Sequence, residues 1–164
     1  MQEDRLEIVI DTDFLSSFLK IHKLELIRDF FNVESISIPL AVFNEIAKTD
    51  LVDLVLKIEW IKIQTVQILD FSGLNNNEII NLGSGEKECM ALCKTFSKHI
   101  MLVNDKTARM AAKKNGIIAL NMSGFLFACK ISNFLDKDEI YKIISDLKSK
   151  DYYIFSKEEL EKIS

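Results

Sequence analysis

Leu6-Glu7-Ile8-Val9-Ile10-Asp11-Thr12-Asp13-Phe14-Leu15 changes period in mid-course. Its first five residues form a short apolar run suited to a β-strand. The run stops at Asp11. Phe14, Leu15, Phe18 and Leu19 then recur at helical spacing, with Asp13 placed to cap that helix. A strand that passes through an acid into a helix is the opening of a β-α unit.

The same alternation continues downstream. Residues 24–31 carry a second helical pattern, and Ser35-Ile36-Ser37-Ile38 is a strand candidate. Pro39 suits the first turn of a helix over 40–48. Residues 51–57 are helical by pattern, and Trp60 to Val66 alternate like a strand. Residues 70–85 read as irregular, with Asn75-Asn76-Asn77 and Gly83-Ser84-Gly85. A helix is expected over about 86–98, a strand over 100–103, and a helix over 106–115 with Gly116 just past its end. A strand over 117–120 and helices near 123–132 and 136–149 follow. Tyr152 to Phe155 suggest a last strand, and Ser156-Lys157-Glu158-Glu159 forms a capping box for a terminal helix. Strands alternating with helices imply an α/β sandwich around a mainly parallel sheet. Such sheets carry their chemistry outside the carboxyl ends of the strands, where the strand order reverses.

Composition narrows the function classes. The chain has 164 residues, 48% hydrophobic and 28% charged, with one Pro and five Gly. That excludes a disordered tail, a linker and a collagen-like repeat. The length suits one domain over 1–164, and no repeat or internal boundary is visible. The longest uncharged run, Asn115 to Cys129, contains Asn121 and Ser123 and is no membrane span. The start, Met1-Gln2-Glu3-Asp4-Arg5-Leu6-Glu7, lacks the apolar core of a signal peptide, so a cytoplasmic protein is expected. Three cysteines, Cys89, Cys93 and Cys129, fit buried thiols in a reducing compartment better than disulfides or a zinc site. The net charge of −4 argues against broad non-specific nucleic-acid binding. It is compatible with a nuclease whose acidic cluster holds cations. Among 21 basic residues only Arg5, Arg28 and Arg109 are arginine, the better bidentate phosphate clamp.

Two acids stand where an α/β sheet places its chemistry: Asp11 after LEIVI and Asp105 after IMLV. Glu45 shares a helical face with Ala41 and Val42, and Glu86 shares one with Cys89, Met90 and Cys93. By the same phase Lys87 and Glu88 point elsewhere. Acids on apolar faces are costly unless something positive meets them. Four converging carboxylates cannot all stay ionised without a counter-charge, and a hard divalent cation supplies one. Each acid also has a structural use. Asp11 can end a strand, Asp105 can cap a helix, Glu86 can complement a helix dipole and Glu45 can be half exposed.

Asp11 in IVIDTDFL, Glu45 in IPLAVFNEI, Glu86 in LGSGEKECMALCK and Asp105 in MLVNDKTARMAAKKNG resemble, in order, the motifs of PIN domains. The match spans about residues 6–130, leaving a C-terminal helical extension over about 131–164. LGSGE and NDKTAR resemble a prokaryotic branch related to VapC-type toxins. The resemblance implies a three-layer α/β/α sandwich with a five-stranded parallel sheet. It also implies a ribonuclease dependent on Mg²⁺ or Mn²⁺, with Asp11, Glu45, Glu86 and Asp105 as metal ligands, an RNA substrate, a homodimer, and a small antitoxin as partner. Asp13 is a further candidate at the metal or its water, and Thr12 is a candidate to hydrogen-bond an Asp or a phosphate. Ser84, Lys106 and Arg109 are candidates for holding phosphate. The chain departs from the family pattern at Val103, at Asn104 and over Leu120-Asn121-Met122-Ser123-Gly124.

Two other readings compete. One keeps the fold without catalysis, as an RNA- or protein-binding module. The other takes Asp11-Thr12-Asp13 as the start of a phosphatase with an Asp nucleophile, resembling haloacid-dehalogenase-type enzymes, and leaves Glu45 and Glu86 without a role. The apolar side chains Phe18, Leu26, Phe30 and Phe31 suit either a partner groove or the core.

Overall fold

The computed structural model describes residues 4–164, so Met1-Gln2-Glu3 of the acidic start lie outside the described residues. The chain runs β1 (Leu6–Ile10), α1 (Thr12–Lys20), α2 (Leu24–Phe31), β2 (Ile36–Pro39), α3 (Leu40–Ile46), α4 (Val52–Lys57) and β3 (Ile61–Gln64). A 3-10 turn over Ile68–Gly73 precedes α5 (Asn76–Ile79) and α6 (Ser84–Thr95). Then come β4 (Lys98–Leu102), α7 (Lys106–Lys114), β5 (Ala119–Leu120), α8 (Met122–Ile131), α9 (Lys137–Lys150) and α10 (Lys157–Ile163).

The five strands form one sheet in the order β3-β2-β1-β4-β5. Every pairing is parallel, with Ile10 opposite Leu102 and Leu102 opposite Leu120. Successive side chains of a strand point to opposite faces. Ile8, Val9 and Ile10 are all fully buried, as are Ile36, Ser37 and Ile38. Both faces of the central strands are therefore covered, which makes three layers and explains why LEIVI does not alternate. The edge strand β3 is the one that alternates in sequence, and its side chains are half-buried or exposed. The order reverses between β1 and β4, so Asp11 and Asp105 lie at the switch point.

Several local expectations are corrected. Asp11, not Asp13, precedes the first helical residue, and Asp13 lies in the first turn of α1. Pro39 ends β2 and stands at the N-cap of α3 instead of inside it. The segment 70–85 is more ordered than its composition suggests, because the Asn75 side chain accepts the Asn77 N–H and starts α5. The helix expected from Glu86 begins at Ser84 and ends at Thr95. Tyr152 to Phe155 form no strand: Tyr152 adopts φ 55°, the left-handed region that breaks an extended ladder. The capping box at Ser156 is present, with Glu159 N–H on Ser156 Oγ at 3.1 Å and Ser156 N–H on Glu159 Oε2 at 2.7 Å. Gly116 takes φ 72° after α7, where a side chain would be strained.

The aromatic residues of the first two helices settle mostly into the core. Phe14 and Phe18 stack at 5.4 Å, and both meet Phe125 of α8 edge-on. Phe30 and Phe31 are partly buried and pack on the same Phe125. The three cysteines are buried free thiols. Among the described residues no helix is long and apolar enough to cross a membrane.

Candidate active site

Asp11 sits at the carboxyl end of β1, where its backbone N–H donates to Leu102 O of β4 at 3.0 Å. That bond pins the position between the two strands at which the sheet order reverses. Asp11 is 6% exposed, the one buried carboxylate among the described residues. Burial pushes its carboxyl up to about 7. The Thr12 backbone N–H opposes this, and the charges of Glu86, Asp13 and Glu45 add to it.

Glu45 comes from α3, the helix after β2. Its Oε2 accepts a short hydrogen bond from the Thr12 hydroxyl. Its other oxygen faces Gly85 on α6, where a Cβ would lie 2.8 Å from Glu45 Oε1 and 3.5 Å from Asp11 Oδ1. Gly85 is thus the point where α6 comes closest to both acids, and its missing side chain leaves room for the Glu45 carboxylate. In the sequence this glycine reads only as part of the irregular stretch 70–85.

Glu86 lies in the first turn of α6 and its Oε2 accepts the Gly83 N–H at 3.1 Å. Burial raises its carboxyl, and the charges of Asp105, Asp13 and Glu45 raise it further. Asp105 is exposed at the N-cap of α7, with Oδ1 accepting the Ala108 N–H at 2.8 Å. The structural uses foreseen for Glu86 and Asp105 are therefore real. They engage one oxygen of each carboxylate and leave the second available.

Asp11 and Glu45 both approach Gly85, the charges of Asp13 and Glu86 reach Asp11, and the charge of Asp105 reaches Glu86. Among the described residues no group of three His, Cys, Asp or Glu side chains is close enough to hold a metal ion as it stands. The donor set is all oxygen, which suits Mg²⁺ or Mn²⁺ and not zinc. No ion pair between described residues reaches the four acids. Their mutual repulsion is left for a cation to offset, so these residues fit such a group chemically.

The phosphate candidates are arranged less directly. Ser84 is the exposed first residue of α6 and Lys106 is the exposed first residue of α7. Arg109 turns back to donate to Asn104 O at 3.0 Å, bracing the loop before Asp105. Asn104 itself accepts the Met122 N–H at 2.9 Å and ties the end of β4 to the start of α8. Val103 is fully buried and its N–H donates to Leu120 O at 2.9 Å. The departures from the family pattern thus serve packing around the fourth acid.

Glu88 points away from the Glu86 face, as helical phase indicates, and has a role that the sequence did not show. Its Oε2 crosses to accept the Ala41 N–H at 2.9 Å, in the first turn of α3. Pro39 has no side chain able to cap that helix, so the acceptor comes from α6 instead. Glu88 thereby holds the helix that carries Glu45. Glu88→Ala should lower stability by about 1 kcal/mol, or roughly 2–4 °C in a chain of this size. Thermal melting of the two proteins checks this, and equal melting temperatures would remove the bracing role.

No curated protein matches this chain significantly. Among solved structures, it is similar to the PIN domain endonuclease Utp24, with a TM-score of 0.52 and 16% sequence identity. That match covers 71% of this chain and 84% of the other. At such identity the likeness concerns the fold. The sequence family DUF3368, described as a PIN domain, matches residues 7–164, nearly the whole chain. With a five-stranded parallel sheet and a family match over nearly its whole length, this protein belongs to the PIN domain family.

Proposed function

We propose that this protein is a metal-dependent endoribonuclease whose site is built on Asp11, Glu45, Glu86 and Asp105. The observation that carries the proposal is Asp11: buried, crowded by three other acids, and without a cationic side chain to offset them. Bound Mg²⁺ or Mn²⁺ would supply activation of water and charge stabilisation on the phosphodiester. Asp11 and Glu45 would hold the ion from β1 and α3, with Glu86 and Asp105 closing the site from α6 and α7. Thr12 fixes the Glu45 carboxylate through its hydroxyl, which sets the direction of the remaining lone pairs. Asp13 stands at the exposed edge, where it can orient water. Ser84 and Lys106 flank the opening and suit a substrate phosphate.

The single domain spans 1–164, with 131–164 as an extension of the motif-bearing part. Three free thiols suit a reducing cytoplasm. A homodimer and a small antitoxin partner rest on the resemblance to VapC-type toxins. The exposed Ile131 and partly exposed Phe127 and Phe134 offer apolar surface for either.

The test is calorimetric Mn²⁺ binding, followed by cleavage of single-stranded RNA. The wild type should bind Mn²⁺, and Asp11→Asn combined with Asp105→Asn should abolish binding. RNA cleavage without added metal, or unchanged in the double variant, would refute this mechanism. A second reading, a non-catalytic RNA-binding module, is favoured by one fact: no three of the acids already stand at ligand spacing. RNA binding without metal-dependent turnover would select it.

A further inference from the structure

Beside the acid cluster lies a cleft of about 280 Å³ lined by Asp13, Ser16, Ser17, Lys20, Asn104, Asp151 and Tyr153. It borders the site through two of its lining residues: Asp13, whose charge reaches Asp11 and Glu86, and Asn104, which directly precedes Asp105. Its far wall comes from the C-terminal segment, outside the motifs that carry the nuclease reading.

That wall is firmly held. Asp151 accepts the Ser17 hydroxyl at 2.5 Å and pairs with Lys20 Nζ at 2.7 Å, both on α1. Tyr152 takes a left-handed backbone at φ 55° and turns out to 84% exposure. The turn brings Tyr153 inward, where its N–H donates to Leu147 O at 3.1 Å. The Tyr153 ring rests edge-on against Phe155 at 4.8 Å. Glu159, on α10, accepts the Ser123 hydroxyl of α8 at 3.1 Å and fixes the other end of the segment. The result is a preorganised aromatic face at the border of the acid cluster.

The charges in the cleft discriminate between ligands. Lys20 is already paired with Asp151, and Asp13 adds a second carboxylate, so the cleft is a poor phosphate site. An aromatic wall with polar edges suits a nucleobase, and the volume is close to the ~300 Å³ lower end of small-ligand pockets. At about 280 Å³ it has room for one unstacked base. We infer that Tyr153 is a positioning residue that stacks the base of a single-stranded RNA next to the scissile phosphate. This rests on the nuclease reading and adds a substrate requirement to it: an unpaired, base-bearing nucleotide beside the acids.

The test compares fluorescein-labelled hexa-adenylate RNA with an abasic ribose-phosphate hexamer, by anisotropy in EDTA buffer. The wild type should bind hexa-adenylate roughly ten-fold more tightly, a typical gain from base stacking on an aromatic ring. Tyr153→Ala should erase the difference, and Tyr153→Phe and Tyr153→Trp should keep it. Ser16→Phe, which fills the cleft from α1 and leaves Tyr153 in place, should also erase it. In Mn²⁺, Tyr153→Ala should raise KM for hexa-adenylate cleavage more than it lowers kcat. If the wild type binds and cleaves but Tyr153→Ala and Ser16→Phe keep the preference, the stacking role is overturned and the nuclease reading stands. If the wild type neither binds nor cleaves RNA, both are overturned.

Discussion

Asp11→Asn is expected to abolish metal-dependent RNA cleavage while making the metal-free protein more heat-stable at pH 8. The two effects share a cause. In the fold the Asp11 carboxyl is pushed up to about 7 by burial and by its acidic neighbours, against 3.8 for an ordinary Asp. The unfolded chain therefore releases this proton near pH 4, and the folded chain keeps it until near pH 7. Between those values the unfolded state binds fewer protons, so stability falls as pH rises, and above pH 7 the full penalty persists. At about 1.4 kcal/mol per pKa unit the penalty reaches a few kcal/mol. Asn keeps the shape and carries no charge. In EDTA at pH 8 the variant should melt roughly 5–10 °C above the wild type. At pH 3, where Asp11 is largely protonated in both states, the two should melt nearly together. Cleavage in Mn²⁺ should fall by at least about 10²–10³-fold, as when a group that stabilises transition-state charge is removed. Melting curves at both pH values and a single-turnover assay check the pair. Equal melting at pH 8 would show that Asp11 is not under electrostatic stress, and retained cleavage would show that it does no chemistry.

Gly85→Ala should separate folding from activity in a different way. A Cβ at this position would meet Glu45 Oε1 at 2.8 Å, too close to be tolerated without movement. The atom that must move is the end of a flexible side chain, so the fold should absorb the change. Alanine is also a better helix residue than glycine by about 0.5–1 kcal/mol, which offsets the displacement. The melting temperature should stay within a few degrees of wild type. The Glu45 carboxylate, however, would shift relative to Asp11 and Thr12. A displacement of about 1 Å in a catalytic group can reduce the rate by about 10²-fold. Mn²⁺ affinity should fall together with cleavage, read by calorimetry and by the RNA assay on the same sample. A fully active Gly85→Ala protein would mean that the spacing of Glu45 and Asp11 is not critical.

Much of this architecture is written locally. LEIVI and ISIP are buried on both faces because they become interior strands of a parallel sheet, and 3.6-residue periodicity marks the helices around them. Asp11 and Asp105 were legible because acids directly after strands fall on the functional edge of such sheets. Ser156-Lys157-Glu158-Glu159 was legible because a capping box satisfies its hydrogen bonds within four residues. Where the signal failed, a distant partner decided. Tyr152 to Phe155 have the composition of a strand, but Asp151 is tied to Ser17 and Lys20, more than a hundred residues earlier in the chain, and the segment becomes a strap.

Sequence alone therefore determined the five strands of the parallel sheet, most of the helices between them and the family motifs, and it nominated four acids as candidates. These follow from propensity, hydrophobic period and local hydrogen bonding, which act over a few residues. The tertiary structure decided the rest. It set Gly85 against Glu45 and Asp11, sent Glu88 to the start of α3, and placed Tyr153 beside Asp13 and Asn104. Each of those depends on how helices pack across the sheet, and no local pattern encodes the distance between residues that only folding brings together.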